Sequence, residues 1–541
     1  MKAILTTIAT AILSLPCIAQ TTYYTPVLVD TLNPTTNNMH YMGYKPQALN
    51  GKLFFCADSG TTNIKTSLYV TDGMPGGTKL LKDGDNSWGV QLWQTATLNN
   101  KLLFTTLTRP YEQMLWESDG APASTQSLLD IGTGNDLVSF ITTIGNKTFF
   151  IANDVVHGEE PWVTDGTVTG TRMLKDTDPN AGWGPIWEAA CAMDGRYYLF
   201  ATNGITAEVE MWASDGTTGG TIKLQDFVGA ALPFGHKPMV VNGAIYFALE
   251  NAGNLELWAT SGAIGDARKV GTLANDDCTG YYAELNGLLY FTQYDGNNTI
   301  LWMTDGVQLT ALKQGPKPYY SSMNDVIAFN GFIYFNHDDG IVGNEIWRTN
   351  GITTNMYKDV WPGVKSGGGS GFTIAGDMLY FFSDRPTGAQ LFCTDGVGPN
   401  INSVFPIGMT PGWGADDAVY IGGFMTAMND TIYCKGRYDN NGWGLYKVRP
   451  VVVNSVKDIE HENPVQLYPN PTTGDCVVVL KKGVIKEVEV CDALGRRVYK
   501  QAGNHVNSMQ LSLPATLSNG IYTLRIATQD GIVKQRLQLN R

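Results

Sequence analysis

Aspartates recur at fixed intervals along the chain, and carboxylates serve in acid–base catalysis and in calcium binding. An Asp-Gly pair occupies six of eight regularly spaced positions. The eight glycines follow one another at intervals of 44–50 residues: Gly73, Gly120, Gly166, Gly216, Gly262, Gly306, Gly351 and Gly396. Because Asp-Gly favours tight hairpin turns, this regularity predicts that the aspartates form turns rather than catalyse a reaction or bind calcium.

Three other segments combine groups that transfer protons or bind metals. His157-Gly158-Glu159-Glu160 places a histidine beside carboxylates, but no GxSxG or HExxH motif accompanies it. Residues 336–340 and 439–442 are rich in oxygen ligands, although neither segment has the EF-hand spacing. We therefore predict no catalytic residues, no metal ligands and no cofactor, and keep Ca²⁺ at these loops as the alternative.

Aromatic residues are frequent in the segments between the repeated turns. Such side chains stack on sugar rings or anchor a protein partner. The candidate ligand-binding residues are Trp88, Trp183, Trp187, Tyr281, Tyr282, Tyr319, Tyr320 and Trp413. The alternative is that these residues only pack against one another.

The regular spacing also predicts the fold. A first turn signal such as Asn242-Gly243 lies about 20 residues before each Asp-Gly-type turn such as Ser261-Gly262. Between them lie an aromatic run, Ile245-Tyr246-Phe247, and a tryptophan phrase, Glu256-Leu257-Trp258. This predicts four strands, a to d, in each unit, and a period in the forties is typical of propellers. Strands b and c lack polar alternation, as expected for blades covered on both faces.

The two ends of the repeat region complement each other. The last unit has strands a to c but no clear strand d, whereas residues 26–30 form an isolated strand d. Pairing them completes a blade and removes an open sheet edge. We therefore predict an all-β fold: a large propeller of about nine four-stranded blades, followed by a small Ig-like sandwich. An eight-bladed ring with one unit outside it is the alternative.

Propeller geometry distributes the connections between two faces. The a–b and c–d turns share one face, and the b–c and d–a loops share the other. In this sequence the first set is short and repetitive, whereas the second is longer and varied. Because binding usually resides in loops on a rigid scaffold, we expect a ligand on the face that carries the b–c and d–a loops.

The chain begins with features of an export signal. Residues 1–19 combine Lys2, a short apolar run and Ala19 before a cleavage point, as in a secretory signal peptide handled by the Sec translocon. Cys17 leaves a lipoprotein anchor as the alternative. No other segment is long and apolar enough to cross a membrane. The expected domains are a propeller at 20–450, a linker at 451–463 and a C-terminal domain at 464–541.

Charge excludes one class of partner. The net charge is −13, and residues 464–541 hold ten basic against five acidic side chains. The rest of the chain is therefore strongly acidic, whereas a nucleic-acid surface needs a basic stripe. Seven cysteines follow the signal peptide without a CxxC pair; Cys476 and Cys491 are expected either to pair or to remain free thiols.

The repeat resembles a known family. Trp162-Val163-Thr164-Asp165-Gly166-Thr167, followed by Gly170-Thr171, is similar to the ELWxTDGT repeats of large secreted bacterial proteins. The resemblance covers about 430 residues. It implies a secreted propeller and no shared catalytic residues.

The C-terminal region resembles the type A sorting domain of the type IX secretion system of Bacteroidota. The matching residues are Tyr468, Pro469, Asn470, Pro471, Gly474, Asp492, Gly495, Gly520, Tyr522 and Lys534. The resemblance implies export across the outer membrane through the type IX machinery, by way of the periplasm, to the cell surface or the medium.

Three functions agree with these observations. The first is a non-catalytic protein that binds a glycan or protein ligand through its loops. The second is a polysaccharide-degrading enzyme with acids from several blades, and the third is a structural envelope component.

Overall fold

The computed structural model describes most of the chain. The described residues are 21–24, 27–30, 46–58, 66–83, 90–108, 112–133, 138–154, 156–178, 185–203, 205–206, 208–233, 237–273, 278–316, 326–383, 390–398, 401–404, 425–436, 444–448, 450–453, 465–480, 483–492, 496–528 and 532–541. The chain divides into two compact units, Tyr23–Val451 and a second unit that contains Val452–Arg541. The predicted signal peptide lies outside the described residues. No helix in the described part of the chain is long and apolar enough to cross a membrane.

Nine antiparallel sheets make up the described part of the first unit, and we name them blades 1 to 9. Their strands, in the order a to d, are Gln47–Leu49, Lys52–Asp58, Thr66–Thr71 and Lys79–Lys82 in blade 1; Val90–Leu98, Lys101–Thr108, Glu112–Ser118 and Gln126–Thr133 in blade 2; Ser139–Ile144, Lys147–Asn153, Glu159–Thr164 and Arg172–Met173 in blade 3; Pro185–Met193, Arg196–Thr202, Val209–Ser214 and Ile222–Phe227 in blade 4; Ala230–Ala231 with Met239–Val241, Ala244–Asn251, Asn254–Thr260 and Arg268–Thr272 in blade 5; Cys278–Leu285, Leu288–Tyr294, Asn298–Thr304 and Leu309–Pro316 in blade 6; Ile327–Phe329, Phe332–Asp338, Asn344–Thr349 and Thr354–Lys358 in blade 7; Gly369–Ala375, Met378–Ser383, Gln390–Thr394 and Asn402–Ser403 in blade 8; Met425–Met428, Thr431–Gly436, Gly444–Val448 and Val27–Asp30 in blade 9. A 3₁₀ turn, Pro122–Ser124, lies between strands c and d of blade 2.

The blades form a closed ring. The first strands of most neighbouring blades contact one another, and the first strand of blade 9 contacts that of blade 1. Blade 9 receives its outer strand from the start of the chain, because Val27 pairs with Lys447 and Leu28 with Tyr446. The predicted pairing of the two ends is thus confirmed. All nine sheets belong to the ring, so among the described residues no repeat of the propeller is left outside it.

The core lies between blades and is built mainly by strands b and c. In Lys147–Asn153 all five central residues are buried, because each blade is covered by a neighbour on both faces. Strands d are more exposed, as in Lys79–Lys82. This burial on both faces explains why strands b and c lack an alternation of apolar and polar residues.

Each Asp-Gly-type turn packs against the preceding blade. A Cβ on Gly306 would lie 2.7 Å from Tyr246 Oη, and one on Gly396 would lie 2.9 Å from Tyr334 Oη. Gly73 of blade 1 meets Tyr433 of blade 9 in the same way, which closes the circle. These turn glycines also have positive φ, for example +79° at Gly73, so both backbone conformation and space require glycine here.

Basic side chains reinforce the same contacts. They donate hydrogen bonds to backbone carbonyls of the next blade's turn: Lys52 to Asp119, Lys147 to Asp215, Arg172 to Gly216, Arg268 to Gly306, Arg348 to Gly396 and Lys447 to Gly73. The last bond, 2.6 Å long, again joins blade 9 to blade 1. These turns, together with the a–b turns, form what we call the turn face.

The second unit contains two antiparallel sheets in its described part. Val465–Tyr468, Asp475–Leu480 and Ser508–Ser512 form the first sheet; Arg497–Val506, Ile485–Cys491, Gly520–Ala527 and Ile532–Leu539 form the second. Their inward residues share one apolar core that includes Val478, Val490, Leu524 and Leu537. This is the predicted small sandwich. Cys476 and Cys491 are both buried free thiols, so the alternative of a disulfide between them is wrong. A separate two-stranded sheet joins Thr21–Tyr24 and Pro450–Val453.

The contact at Gly73 generates a stability prediction. Gly73→Ala should lower the free energy of unfolding by about 2–5 kcal/mol, because the methyl group combines positive-φ strain with overlap on Tyr433. Gly76→Ala is the matched control. Gly76 has φ +76° but open space at its Cβ, so it should cost only about 1 kcal/mol. Urea unfolding measures both values.

Tyr433→Phe provides a second check, because it removes the nearest overlapping atom. It should recover part of the loss when combined with Gly73→Ala. Equal losses for Gly73→Ala and Gly76→Ala would contradict the proposed contact.

Candidate functional site

The candidate site is the face of the ring opposite the turn face, which we call the loop face. It carries the b–c loops within blades and the d–a connections between blades. Among the candidate aromatic residues, the structure describes the side chain of Tyr282, which lies within strand a of blade 6 and is 36% exposed. Trp187 and Tyr281 lie in strands a of blades 4 and 6, where the structure describes their backbone. The remaining candidates lie outside the described residues: Trp88, Trp183, Tyr319, Tyr320 and Trp413.

The aspartates of the turn face form turns. Asp165 Oδ1 accepts hydrogen bonds from the backbone N–H and the hydroxyl of Thr167, at 2.9 and 2.7 Å. These bonds hold the pKa of Asp165 below its usual range. Asp215 is bonded in the same way to Thr217. These contacts agree with the predicted turn-forming role.

The loops proposed as calcium sites use their carboxylates in the same manner. Asp338 accepts a hydrogen bond from Gly340 N–H, and Asp339 accepts bonds from the N–H groups of Ile341 and Val342. Residues 439–442 lie outside the described part. Across the residues that the structure describes, no group of three or more His, Cys, Asp or Glu side chains is arranged to hold a metal ion.

The histidine–carboxylate cluster of blade 3 separates into two parts. His157 Nδ1 lies 2.7 Å from Asp154 Oδ2 within the exposed b–c loop, and this hydrogen bond raises the pKa of His157. Glu160 is fully buried. Its carboxylate accepts hydrogen bonds from Thr177 N–H (2.8 Å), Thr177 Oγ1 (2.7 Å) and Asp178 N–H (3.3 Å). Burial raises the pKa of Glu160 to about 7, against the effect of these donors.

The structure describes both loops of blade 7 on this face: the b–c loop, residues 339–343, and the loop after strand d, residues 359–368. Glu345 is buried beneath the second loop and accepts hydrogen bonds from Val360 N–H (2.6 Å) and Gly367 N–H (2.9 Å). Burial raises its pKa to about 7, although these donors oppose the rise. The tips expose aliphatic side chains: Ile341 is 72% and Val364 79% exposed. Glu345 therefore holds the second loop from below, and both loops expose an aliphatic side chain at the tip.

A groove of about 560 Å³ lies on the loop face between blades 4 and 5. Its lining combines carboxylates, small residues and an exposed aliphatic side chain: Thr206, Glu208, Val228, Gly229, Glu250 and Ala252. The b–c connection of blade 5 is a two-residue turn, since Asn251 pairs with Asn254. This differs from the expected long loop. The groove lies beside this turn, because Ala252 and Gly253 line it.

The groove wall in blade 4 is internally supported. Asn203 Oδ1 accepts hydrogen bonds from Ile205 N–H (2.9 Å) and Thr206 N–H (3.2 Å), and Asn203 N–H donates to Glu208 O at 2.9 Å. On the other side, Ala230–Ala231 pairs with the extended end of strand b of blade 5. Sequence reasoning missed this groove, because the split strand a of blade 5 leaves no periodic signal.

Residues of the predicted sorting motif and its neighbours form hydrogen bonds with the last residues of the chain. Asn470 Nδ2 donates to Arg536 O, and Asn470 Oδ1 accepts from Gln538 N–H, both at 2.8 Å. Arg541 donates from its guanidinium to Thr473 O, Leu513 O and Pro514 O. The motif therefore holds the last strand in place.

The other motif residues fall at several places in the sandwich. Tyr522 Oη donates to Ser518 O at 2.7 Å, and Asp492 pairs with Arg496. Tyr468 is 52% exposed. The structure describes only the backbone of Lys534, and Gly495 lies outside the described residues.

Comparison with known proteins identifies the C-terminal unit. Residues 466–540 match the family model of a secretion system C-terminal sorting domain. This match supports secretion or display at the cell surface by the type IX secretion machinery. A search of curated proteins finds no match to the chain.

Solved structures with some likeness include a β-propeller domain of a protease and a peptidase. The β-propeller domain of the Trilobed protease from Pyrococcus furiosus is 12% identical at a TM-score of 0.31, covering 59% of this chain and 99% of that one. A puromycin-hydrolyzing peptidase from Mycobacterium tuberculosis is 11% identical at a TM-score of 0.38, covering 69% and 54%. The chain thus spans about half the length of the second protein. Similarity this low carries no information on activity.

Proposed function

We propose that the protein is a non-catalytic binding protein. It is exported by the type IX secretion system through its C-terminal domain, and it binds a glycan or protein ligand on the loop face of its propeller. Membership of the ELWxTDGT-repeat proteins is part of this proposal. The domain boundaries proposed with it are 20–450 for the propeller and 464–541 for the sorting domain.

The observation that carries the binding proposal is the groove between blades 4 and 5. It has the size of a small-ligand site, and its blade 4 wall is held by the hydrogen bonds of Asn203. Glu208 and Glu250 make it acidic, and an acidic groove favours hydroxyl-bearing or cationic ligands over anionic ones. The candidate aromatic residues predicted from the sequence remain proposed contributors to the same face.

Four of the described acids are engaged in structural hydrogen bonds, which favours binding over catalysis. Asp165 and Asp215 close turns, and Glu160 and Glu345 accept bonds from backbone N–H groups. Glu208 and Glu250 favour the second candidate, a polysaccharide-degrading enzyme, because both carboxylates line one groove and glycosidases use such pairs.

A glycan array probed with the purified protein tests the binding proposal. We expect neutral or amine-bearing glycans to bind, and Thr206→Trp to weaken that binding at least about tenfold by filling the groove. Thr218→Trp is the matched control, since Thr218 is exposed in the same blade but on the turn face. Binding that is lost with Thr218→Trp and kept with Thr206→Trp would place the site elsewhere.

The same glycans distinguish the enzyme from the binding protein. Release of reducing ends by the wild-type protein, abolished by Glu208→Gln or Glu250→Gln, would overturn the non-catalytic proposal.

Export is tested in the native host. Deleting residues 464–541 should leave the propeller in the periplasm. Asn470→Ala should lower the exported fraction partly, because it removes two hydrogen bonds to the last strand. Cell fractionation measures both, and undiminished surface display of the deletion variant would rule out this export route.

A further inference from the structure

The glutamate that stands two residues before the tryptophan of strand c has two different roles in this ring. In blades 4 and 5 it bonds to residues of its own blade. Glu210 accepts hydrogen bonds from the Trp212 indole (3.0 Å) and from Lys223 (3.2 Å). Glu256 accepts the equivalent bonds from Trp258 (3.1 Å) and Lys269 (2.7 Å).

In blades 3 and 7 the same glutamate points into the loop that follows strand d. Glu160 accepts bonds from the backbone N–H groups of Thr177 and Asp178, and Glu345 from those of Val360 and Gly367. Both carboxylates are fully buried, with 0% of the residue exposed. A buried carboxylate must find donors, and here the loop backbone supplies them.

The residue across from the tryptophan separates the two cases. In strand d, Lys223 is opposite Trp212 and Lys269 is opposite Trp258. At the same place Met173 is opposite Trp162 and Met356 is opposite Trp347. A lysine ammonium supplies three donors close to the carboxylate, whereas methionine supplies none.

We propose that Glu160 and Glu345 are positioning residues that hold two ligand-facing loops of the ring, and that a methionine in place of lysine opposite the strand-c tryptophan directs them there. That these loops face a ligand rests on the proposed function. The clamp itself is a property of the free protein.

Blade 7 shows what such a clamp holds. The loop of residues 359–368 is bonded at both ends by Glu345, and Gly367 N–H also donates to Asn344 O at 2.9 Å. Ser383 Oγ donates to Gly367 O at 2.5 Å. The tip between these bonds exposes Val364. A loop fixed before binding loses less conformational entropy when a ligand arrives, so residues 359–368 are a preformed part of the face.

Hydrogen exchange of the full-length protein tests the clamp without any ligand. Site-resolved mass spectrometry should show the amide of Val360 exchanging at least about tenfold faster in Glu345→Ala, since it loses its bond to the carboxyl group. The Gly367 amide should change less, because it keeps its bond to Asn344 O. Glu345→Gln keeps one acceptor oxygen and should restore part of the protection. Amides of Phe332–Asp338 report whether blade 7 remains folded.

The second pair of variants leaves the glutamate in place. Met356→Lys should draw Glu345 toward the new ammonium and speed exchange of the Val360 amide, whereas Met356→Leu should not. Glu256→Ala is the control for loss of a strand-c glutamate, and it should leave residues 359–368 unchanged.

Each outcome decides one part of the proposal. Unchanged loop exchange in Glu345→Ala refutes the clamp, and a change in Glu345→Ala but not in Met356→Lys refutes the role of the methionine. Failure of the glycan array would refute a glycan ligand while these exchange results stand, so the two proposals fail separately.

Discussion

The ring depends on the contact between a turn glycine and an aromatic residue of the preceding blade. The glycine has positive φ and no room for a side chain, and a basic residue of the neighbouring blade often bonds its carbonyl or that of the adjacent aspartate. Because nearly the same contact recurs from blade to blade, the apolar faces of adjacent sheets are brought into register. The contact between Gly73 and the pair Tyr433 and Lys447 extends this arrangement across the two ends of the repeat region.

This constraint gives the two faces of the ring different roles. The turn face is occupied by contacts that hold the blades together, so its sequence is repetitive. The loop face is free of that requirement, and its loops differ in length and support. Some are clamped by a buried glutamate, and one short turn leaves the groove between blades 4 and 5. A rigid ring with one variable face is the form expected of a scaffold for binding.

Much of the ring was predictable because its signals are local. The Asp-Gly turns, the aromatic strand b and the strand at residues 26–30 each follow from neighbouring residues and a fixed period. The contact between Gly306 and Tyr246 was not predictable, since its partners lie some 60 residues apart and meet only across blades. The two roles of the strand-c glutamate also escaped notice, because they depend on strand register: Met356 and Lys269 are equivalent only once strand d is aligned. The groove depends on an irregular strand that interrupts the pattern.

The most direct test of the closed ring is a disulfide across its last seam. Val27 and Lys447 are paired residues on adjacent antiparallel strands, and such pairs lie within disulfide range. In the double variant Val27→Cys and Lys447→Cys, mild oxidation should link the two cysteines in the folded protein, as mapped by peptide mass spectrometry. A control with Val27→Cys and Lys358→Cys, in the outer strand of blade 7, should stay reduced. Two unlinked thiols in the first variant, with the protein still folded, would contradict the closed ring.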